Sequence, residues 1–520
     1  MTPREENFYD YVYKLFYQIS NAKPEQIGLE FSRQTTLPIL KIMPDVSMVV
    51  PIPKRIGEYY AFGGMLFENT DDGRKSLWAL FFASLYHMAS HAAISDYSKY
   101  FQWMKNKTED SSWQVIDFIE DVRAQKFLER TDKEIWRHVS EVESKLVPGL
   151  KPGNPGSGQP FQPYHKAQDA KTLGRAGDII LNTGDGDRND LLNIADYLYK
   201  RRNLLQTTIL PNRERHVPTW PMKFEVRAPV LPIAGEMAEK AQKIDDLWMA
   251  DEIEKTKILR QYKKHMKNLH FDRVIVPQGN LQKYAQTREK VLPLLRRMRQ
   301  QIRLISNLTD SPTIDQVGYI DMQLAIQAIA SESQTSDIFE REEIRRGEEA
   351  WVILVDKSAS MNLRCQELNE LLVCMAESAN ELTGKYDAWA IYGFDTSFHI
   401  VKDFKERYSQ EVKARIGEIG SGGLTLLPDA LEVANRVLNE DQRERKYIFV
   451  ITDGSPSGYM RIHEAFSKIV KKTDMSDITL VAIGVSKKVT RGFKNTAQAK
   501  DLKTLVAKFI TAYRTASSDM

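Results

Sequence analysis

Oxygen-bearing side chains occur at three places in the last third of the chain, in a combination that suits a divalent cation. Asp356, Ser358 and Ser360 form a D-x-S-x-S pattern. Thr425 ends the glycine-rich stretch GSGGLT, and Asp453 follows the apolar run YIFVIT. Carboxylates and hydroxyls are hard oxygen ligands, and Mg²⁺ binds few carboxylates directly while it keeps several waters. The residue types therefore predict a Mg²⁺ site made of hydroxyls and water-bridged aspartates.

The segments around these residues have the patterns of buried strands that alternate with helices. The runs AWVILV (350–355) and YIFVIT (447–452) are continuously apolar, as in strands buried on both faces of a parallel sheet. Helical patterns such as PDALEVANRVL separate the strands, and FHIVKDF is expected to be an edge strand. This alternation predicts a Rossmann-like α/β domain with a doubly wound, mostly parallel sheet. Such sheets bind ligands beyond the carboxyl ends of their strands, where the polar segments lie.

The same residues resemble the metal-ion-dependent adhesion site of the von Willebrand factor A domain, which reads D-x-S-x-S, then Thr, then Asp. The positions that match in order are Asp356, Ser358, Ser360, Thr425 and Asp453. The resemblance implies that they hold Mg²⁺ or another divalent cation. It also implies an open coordination position, which an Asp or Glu of a partner fills. A set of helix-cap and turn residues without a metal is the alternative interpretation.

Two further segments are informative: DFIEDVRAQ in the N-terminal half and the lead-in GYIDMQLAIQAIASESQTSDIFEREEIRRGEEAWVILVDKSASM. They resemble the NorD/CbbO group of A-domain proteins, which are adaptors of MoxR-type AAA+ ATPases. The resemblance implies a non-enzymatic, Mg²⁺-dependent adaptor that works with a MoxR-type ring. Together they would remodel or activate a client enzyme with an exposed Asp or Glu, or insert its metal cofactor. The chain lacks a G-x-x-x-x-G-K-[ST] phosphate loop, so we expect ATP to be hydrolysed by the partner.

Changes of composition along the chain predict five segments. Residues 1–147 have helical spacing of apolar residues and are expected to form a mainly α-helical N-terminal domain. Residues 148–163 contain Pro or Gly at nine of sixteen positions, which is typical of a linker. Residues 164–310 are mixed and mainly helical, 311–348 are the lead-in, and 349–520 are the A domain with the adhesion site.

The overall composition argues against several classes of protein. The 520-residue chain has 73 basic and 70 acidic residues, and a net charge of +3 gives no case for a nucleic-acid partner. It has two cysteines, so we expect no disulfide framework and a reducing, cytoplasmic location. The most apolar stretch, residues 77–93, contains two histidines and is shorter than the roughly 20 apolar residues of a membrane span.

A chelatase-type subunit is one alternative function. In such complexes a similar A domain joins an AAA+ ring that inserts metal into a tetrapyrrole. A long linker rich in acidic residues and proline before the A domain would favour this function. The sequence that precedes residue 349 contains no such linker, so the adaptor is the preferred interpretation.

Two histidines offer a second alternative, a metallohydrolase in the N-terminal region. His87 and His91 lie four residues apart on a predicted helix, as the zinc ligands of H-E-x-x-H do. Glu120 or Asp121 is the candidate third ligand. Met88 occupies the position of the catalytic glutamate, which removes the general base. Two histidines packed in a helical core are therefore the favoured interpretation.

Overall fold

The chain forms two units of contacting residues in the computed structural model. Unit 1 comprises Met1–Ile258, Pro277–Gln286 and Ser409–Glu418. Unit 2 comprises Leu259–Val276, Thr287–Tyr408 and Ile419–Met520. The structure describes residues 6–33, 35, 38–41, 45–63, 65–146, 188–202, 212–213, 227–231, 233, 235–309, 319–320, 339–340, 349–383, 386–420, 422–452, 457–484, 493–498 and 502–518.

The two units divide the chain differently from the segments expected from the sequence. The Pro/Gly stretch at 148–163 and most of the lead-in at 311–348 lie outside the described residues. The region 164–310 contributes to both units, and residues 409–418 belong to unit 1 although they lie within the sequence of the predicted α/β domain. Contacts between residues that are distant in the sequence determine which unit a segment belongs to. Changes of composition along the chain do not indicate such contacts.

The helices and strands are numbered here in chain order. The helices are α1 (Phe8–Ser20), α2 (Asp71–Ile94), α3 (Phe101–Met104), α4 (Glu109–Thr131), α5 (Lys133–Leu146), α6 (Arg188–Tyr199), α7 (Glu236–His265), α8 (Leu281–Thr309), α9 (Cys365–Leu382), α10 (Gln410–Gly417), α11 (Leu427–Asn439), α12 (Ile462–Asp474) and α13 (Leu502–Ser518). The strands are β1 (Gly28–Ser32), β2 (Ile39–Lys41), β3 (Ser47–Pro51), β4 (Lys54–Ile56), β5 (Tyr59–Phe62), β6 (Met65–Glu68), β7 (Asn212–Arg213), β8 (Val274–Ile275), β9 (Tyr319–Ile320), β10 (Phe339–Glu340), β11 (Glu349–Asp356), β12 (Trp389–Phe394), β13 (Phe398–Lys402), β14 (Arg445–Thr452), β15 (Ile478–Gly484) and β16 (Asn495–Gln498).

Unit 2 contains the predicted α/β sheet. Its strands are ordered β16-β15-β14-β11-β12-β13-β8, and all neighbouring pairs are parallel except β12 and β13. Residues 350–356 of β11 are all buried, as the continuous apolar run predicts. From β11 the chain continues to β12 on one side and later to β14 on the other. The strand order therefore reverses between β11 and β14, which is where such sheets bind ligands.

The strand FHIVKDF does not lie at the edge of the sheet, so that prediction was wrong. β13 pairs with β12 on one side and with β8 on the other, where Phe398 lies opposite Val274. The backbone N–H of Phe398 donates to the carbonyl of Arg273 at 2.9 Å, and that of Asp272 donates to the carbonyl of Thr396 at 3.0 Å. This edge is held by main-chain hydrogen bonds to a two-residue strand, which leaves no side-chain pattern in the sequence.

Unit 1 is rich in helices, as predicted, but it also contains two small sheets that the sequence analysis missed. One has the strand order β1-β3-β2-β7 and the other is the antiparallel sheet β4-β5-β6. Their strands contain two to five residues. In runs this short the alternation of apolar and polar residues cannot be distinguished from helical spacing.

Helix α2 is the core helix of unit 1 and packs against α1, α4 and α5. It begins where the Thr70 side chain accepts a hydrogen bond from the N–H of Gly73, with Asp71 and Asp72 in the first turn. Among the described residues it is the single helix long and apolar enough to cross a membrane. However, 89% of its most apolar window is buried inside the protein. A helix that is apolar on all sides and covered by other helices is typical of a protein core.

Charged side chains of α7 and α10 are buried together in unit 1. Glu411 Oε1 accepts from Lys255 Nζ at 2.9 Å and from Arg415 Nη2 at 2.7 Å. Burial alone would raise the pKa of Glu411, but the two cations outweigh it and lower this pKa to about 2. Asp251 Oδ2 accepts from the backbone N–H of Phe8 at 2.8 Å. Burial, reinforced by repulsion from Glu411, raises the pKa of Asp251 to about 7.

We expect Asp251 to contribute stability that grows as the pH falls, and Asp251→Asn to remove that contribution. Because the pKa of Asp251 is raised to about 7 on folding, the folded state binds a proton that the unfolded state lacks. The resulting stability is fully present at low pH and is lost as the pH rises through the folded-state pKa. Between about pH 8 and about pH 6 the gain is about 1 kcal/mol.

Melting temperatures of the wild type and of Asp251→Asn at these two pH values check this prediction. The melting temperature of the wild type should rise relative to that of the variant at the lower pH, because the side-chain amide of the variant still accepts from Phe8 but binds no proton. Other titrating groups, such as Asp10, whose pKa burial raises to about 6, are present in both proteins and should affect them alike. Equal pH shifts in the two proteins would contradict the prediction.

Candidate metal centre

Asp356 is held rigidly at the carboxyl end of β11, where the strand order reverses. Its side chain is fully buried. Oδ1 accepts from the backbone N–H of Ser358 at 2.9 Å, and Oδ2 accepts from Thr452 Oγ1, at the end of β14, at 2.7 Å. The carboxylate therefore links the two central strands at the predicted ligand position, with both oxygens oriented by donors.

The two serines of the pattern place their hydroxyls side by side. Ser358 Oγ lies 2.9 Å from Ser360 Oγ. Two neighbouring ligands of an octahedral Mg²⁺, each at about 2.1 Å, are separated by roughly 3 Å. Ser358 is buried and Ser360 is exposed, so the pair lies at the boundary between the sheet and solvent. The hydroxyls fit two adjacent positions of a Mg²⁺ ion that remains accessible from outside.

A glycine-rich loop is fastened to the loop that contains the serines. The N–H of Gly422 donates to the carbonyl of Lys357 at 2.6 Å, and the N–H of Ala359 donates to the carbonyl of Gly423 at 3.3 Å. Gly423 has a φ of +75°, and a Cβ added there would lie 2.9 Å from Thr396 Oγ1. A side chain at this position would be strained and crowded, so glycine permits the close approach of the two loops.

Thr425 ends this loop and is tied to residues that follow β14. Its N–H donates to Ser457 Oγ at 2.8 Å, and the N–H of Ser457 donates to the carbonyl of Thr425 at 3.0 Å. Thr425 is buried and lies just before α11. Asp453, the fifth predicted ligand, lies outside the described residues. Of the predicted set, Asp356 ends β11, Ser358 and Ser360 lie in the segment that follows it, and hydrogen bonds hold the loop of Thr425 against that segment.

This arrangement of residues and strands matches a known protein family. Residues 351–455 match the model of the von Willebrand factor type A domain. The chain contains a von Willebrand factor A domain. Such domains commonly bind a divalent metal ion at the motif described above, and they bind other proteins. The matched range includes every predicted ligand from Asp356 to Asp453.

Two curated bacterial proteins are similar to part of the chain. Protein NorD of Stutzerimonas stutzeri is 23% identical over 185 residues, which cover 32% of this chain and 30% of NorD. The uncharacterized protein PA0525 of Pseudomonas aeruginosa is 24% identical over 189 residues, which cover 34% of this chain and 30% of that protein. The match thus spans less than a third of the length of each relative. The similarity to NorD expected from the sequence is confirmed over this part, and it supports a role in protein interaction.

Solved structures also share a resemblance with part of the chain. The PilB minor pilin from Streptococcus sanguinis has a TM-score of 0.26 and 15% identity, over 34% of this chain and 63% of that chain. The manganese-loaded Plasmodium vivax TRAP protein has a TM-score of 0.25 and 17% identity, over 31% of this chain and 72% of that chain. These scores are too low to add anything to the fold or to the function.

Lys357, in the middle of the metal motif of the A domain, has a buried amine with a partner on another strand. Its Nζ lies 3.3 Å from Nδ1 of His399, and Nε2 of His399 lies 3.1 Å from Oδ2 of Asp395. Burial lowers the pKa of Lys357, although Asp395 raises it in part. The Lys357 amine therefore contacts a side chain of β13. Nothing in the sequence singles out His399, because its contact with Lys357 depends on the pairing of β12 with β13.

Ser457 is a further residue of the site that the sequence analysis missed. It follows the TDG segment and orients Thr425 through the paired hydrogen bonds described above. The available signal is the stretch SPSG after TDG, which has the composition of a turn. Such a stretch predicts a turn, but it does not indicate that Ser457 contacts the loop of Thr425.

The histidines singled out in the N-terminal region also meet an acidic residue. His87 and His91 on α2 lie beside Asp121 on α4, and all three side chains are buried. Glu120, the other candidate ligand, is held by the Tyr100 hydroxyl at 2.6 Å and by Arg123 at 2.8 Å. Of the two acidic residues considered from the sequence, the structure therefore brings Asp121 to the histidines.

Proposed function

We propose that the chain is a non-enzymatic adaptor that binds an acidic segment of a partner protein through Mg²⁺ in its A domain. The observation that carries this proposal is the pair of hydroxyls of Ser358 and Ser360, 2.9 Å apart beside the buried Asp356. They lie at the point where the strand order of the sheet reverses, which is the ligand position of this class of fold.

The residues of the site have different roles in binding the ion. Ser358 and Ser360 are placed to ligate the ion directly, while Asp356 is placed to hold its water ligands. Thr425 and Asp453 complete the set by resemblance to the A-domain motif. When bound, Mg²⁺ supplies a positive charge and an open position for a carboxylate of the partner. The buried strand ends fix the ligands in place, so little ordering is required when the partner binds.

The partner that we propose is a MoxR-type AAA+ ATPase ring in the cytoplasm, with a client enzyme that is remodelled, activated or supplied with a metal cofactor. The support is the similarity to Protein NorD over 32% of this chain and the resemblance of DFIEDVRAQ and of the lead-in to the NorD/CbbO group. The chain has no phosphate loop of its own, so the energy would come from the ring.

We expect capture of the cognate ring by the full chain to require Mg²⁺ and the Thr425 hydroxyl. EDTA should abolish capture in a pull-down. Thr425→Ala should weaken it roughly tenfold or more, because by resemblance to the A-domain motif this hydroxyl engages the ion mainly when the partner's carboxylate is bound, while Mg²⁺ affinity measured by calorimetry should change less. The purified chain alone should hydrolyse no ATP, yet it should change the ATP turnover of the ring.

Thr383→Ala is the matched control for Thr425→Ala. Thr383 follows α9, which leads back to the amino ends of the strands, opposite the metal site. Its hydroxyl donates to the carbonyl of Ala379 at 2.7 Å. Its replacement should leave both capture and Mg²⁺ affinity unchanged. Capture that is indifferent to EDTA and to Thr425→Ala would mean that another surface of the chain makes the decisive contact.

A further inference from the structure

A second group of potential metal ligands lies in unit 1, away from the A-domain motif in the chain. His87 and His91 are one turn apart on the same face of α2, and Asp121 faces them from α4. Their exposed fractions are 2%, 2% and 3%. Three polar side chains with this little access to water require strong partners, because burying an uncompensated charge is costly.

The distances between the three side chains match the ligand shell of a tetrahedral metal ion. His91 Nε2 lies 3.0 Å from His87 Nε2 and 3.1 Å from Asp121 Oδ1, and His87 Nε2 lies 3.3 Å from the same oxygen. Zinc binds imidazole nitrogen and carboxylate oxygen at about 2.0 to 2.2 Å, which separates neighbouring ligands by roughly 3.3 Å. An ion just outside the triangle of these three atoms is therefore within bonding distance of each.

With an ionised Asp121, protons on the histidines satisfy this triangle poorly. A ring nitrogen either carries a hydrogen and donates or presents a lone pair and accepts. If both Nε2 atoms donate to the Asp121 carboxylate, two N–H dipoles converge on one oxygen with their nitrogens only 3.0 Å apart, and the two donors repel each other. If one of them accepts instead, its lone pair faces the carboxylate. One of the three contacts is repulsive in each case, whereas a single cation makes all three favourable.

The surroundings of His91 and Asp121 are also those of metal ligands. The other ring nitrogen of His91, Nδ1, lies 3.0 Å from Ser95 Oγ and 3.3 Å from the Tyr97 hydroxyl. Metal-bound histidines are usually oriented by such a partner on their outer nitrogen. Asp121 Oδ2 is buried and has no hydrogen-bond partner among the residues that the structure describes. A buried carboxylate oxygen of this kind is available to a cation.

The ligand types and the local charge select the kind of metal. Two imidazoles and one carboxylate suit Zn²⁺ and disfavour Mg²⁺, which prefers oxygen alone. Glu120 and Arg123 neutralise each other nearby through contacts of 2.8 Å, so Asp121 leaves a net negative charge for the ion. Met88 stands where H-E-x-x-H enzymes have the general base, and Glu120 is bound to Arg123. The group can hold a metal but lacks a base for hydrolysis.

We propose that His87, His91 and Asp121 bind one Zn²⁺ ion that fastens α2 to α4 in the core of unit 1. This structural site is independent of the Mg²⁺ site in the A domain. Because α2 packs against α1, α4 and α5, the ion stabilises the helical core as a whole. The helix pair alone would otherwise bury a carboxylate with one repulsive contact.

The metal content of the full chain, purified without an affinity tag, tests the proposal. After dialysis against ZnCl₂ in excess Mg²⁺, and then against metal-free buffer, elemental analysis should find one Zn²⁺ per chain. Asp121→Asn keeps the shape of the side chain but removes its charge, and it should lower the zinc affinity at least about tenfold. His91→Asn should do the same. Removal of zinc with a strong chelator should lower the melting temperature of the wild type and leave that of the variants unchanged.

Two matched variants serve as controls. His138 is a buried histidine of the same unit, whose Nε2 lies 3.0 Å from the carbonyl oxygen of Ala79 on α2. His138→Asn should keep the zinc, although it loses a comparable amount of packing. Asp356→Asn should also keep the zinc while it loses Mg²⁺. Substitution of Co²⁺ for zinc should give a visible absorption spectrum in the wild type and not in Asp121→Asn.

Wild-type chain that holds no more zinc than folded Asp121→Asn and His91→Asn would overturn the proposal. Circular dichroism establishes whether each variant is folded, and Asp121→Asn is the decisive one because it preserves the volume of the side chain. Zinc that is lost from Asp356→Asn but retained by Asp121→Asn would place the ion in the A domain instead.

Discussion

Replacing Asp356 should abolish Mg²⁺ binding by the A domain. The carboxylate lies at the end of β11, is fully buried and is oriented by the Ser358 N–H and the Thr452 hydroxyl. Loss of its charge removes a main source of attraction for a divalent cation beside two neutral hydroxyls. We expect the affinity for Mg²⁺ to fall by a factor on the order of 100 or more, since ligand charge strongly tunes such sites.

The choice of substitution matters because Asp356 also supports the fold. In Asp356→Ala the Ser358 N–H and the Thr452 hydroxyl lose a buried acceptor, which costs about 1–3 kcal/mol for each group left unsatisfied. In Asp356→Asn the amide oxygen still accepts from Ser358, and the Thr452 hydroxyl can turn to accept from the new NH₂ group. We therefore expect Asp356→Asn to lose the metal with little loss of stability, and Asp356→Ala to lose both.

Titration calorimetry of the full chain with Mg²⁺ checks this prediction, and melting curves separate the effect on the metal from the effect on the fold. Asp387→Asn is the matched control. Asp387 precedes β12 at the amino ends of the strands, opposite the metal site, and its Oδ1 accepts from Arg443 at 2.9 Å. This variant should bind Mg²⁺ like the wild type. Unchanged affinity in Asp356→Asn would mean that the motif is only a set of turn and cap residues.

The fold of the A domain could be predicted from the sequence where its strands are buried on both faces. β11 and β14 are short continuous apolar runs, which are typical of strands buried on both faces, and their alternation with helices indicates a parallel sheet. β8 could not be predicted, because two residues pair through their main chain alone. The short strands of unit 1 were missed for a related reason, since their apolar residues are also compatible with helical spacing.

The metal motif could be predicted because its residues follow recognisable strands, whereas its supporting contacts could not. Asp356, Ser358 and Ser360 are fixed by the end of one strand, so their proximity follows from local geometry. Ser457 and His399 act through loops and strands that are neighbours only in the folded chain. Side chains of this kind carry no spacing signal in the sequence.

The spacing of residues predicts only part of the histidine cluster. A spacing of four predicts that His87 and His91 share a face of a helix. Adjacent residues such as Glu120 and Asp121 point about 100° apart around their own helix, so one of them at most can face α2. Which one does so depends on how α4 rotates when it packs, and the spacing does not contain that information. The structure selects Asp121.

The largest loss of stability from a small substitution is expected for Gly279→Ala in unit 1. A Cβ added to Gly279 would lie 2.0 Å from the carbonyl carbon and 2.2 Å from the carbonyl oxygen of Ala414, which is in α10. The next residue, Asn280, donates its N–H to this same carbonyl at 2.8 Å. Because the atoms in the way are backbone, the conflict cannot be relieved by a side-chain rotation. The segment that begins α8 must move away from α10 and lose this hydrogen bond.

We expect Gly279→Ala to cost about 3 kcal/mol, at the upper end of the usual cost of overpacking, and to lower the melting temperature by roughly 5 to 10 °C. Gly420→Ala is the matched control, because a Cβ there would meet no atom within 4 Å and its φ is not in the left-handed region. That variant should melt like the wild type or slightly higher, since alanine restricts the unfolded chain. If Gly279→Ala and Gly420→Ala melt at the same temperature, the close approach of this segment to α10 does not hold in solution.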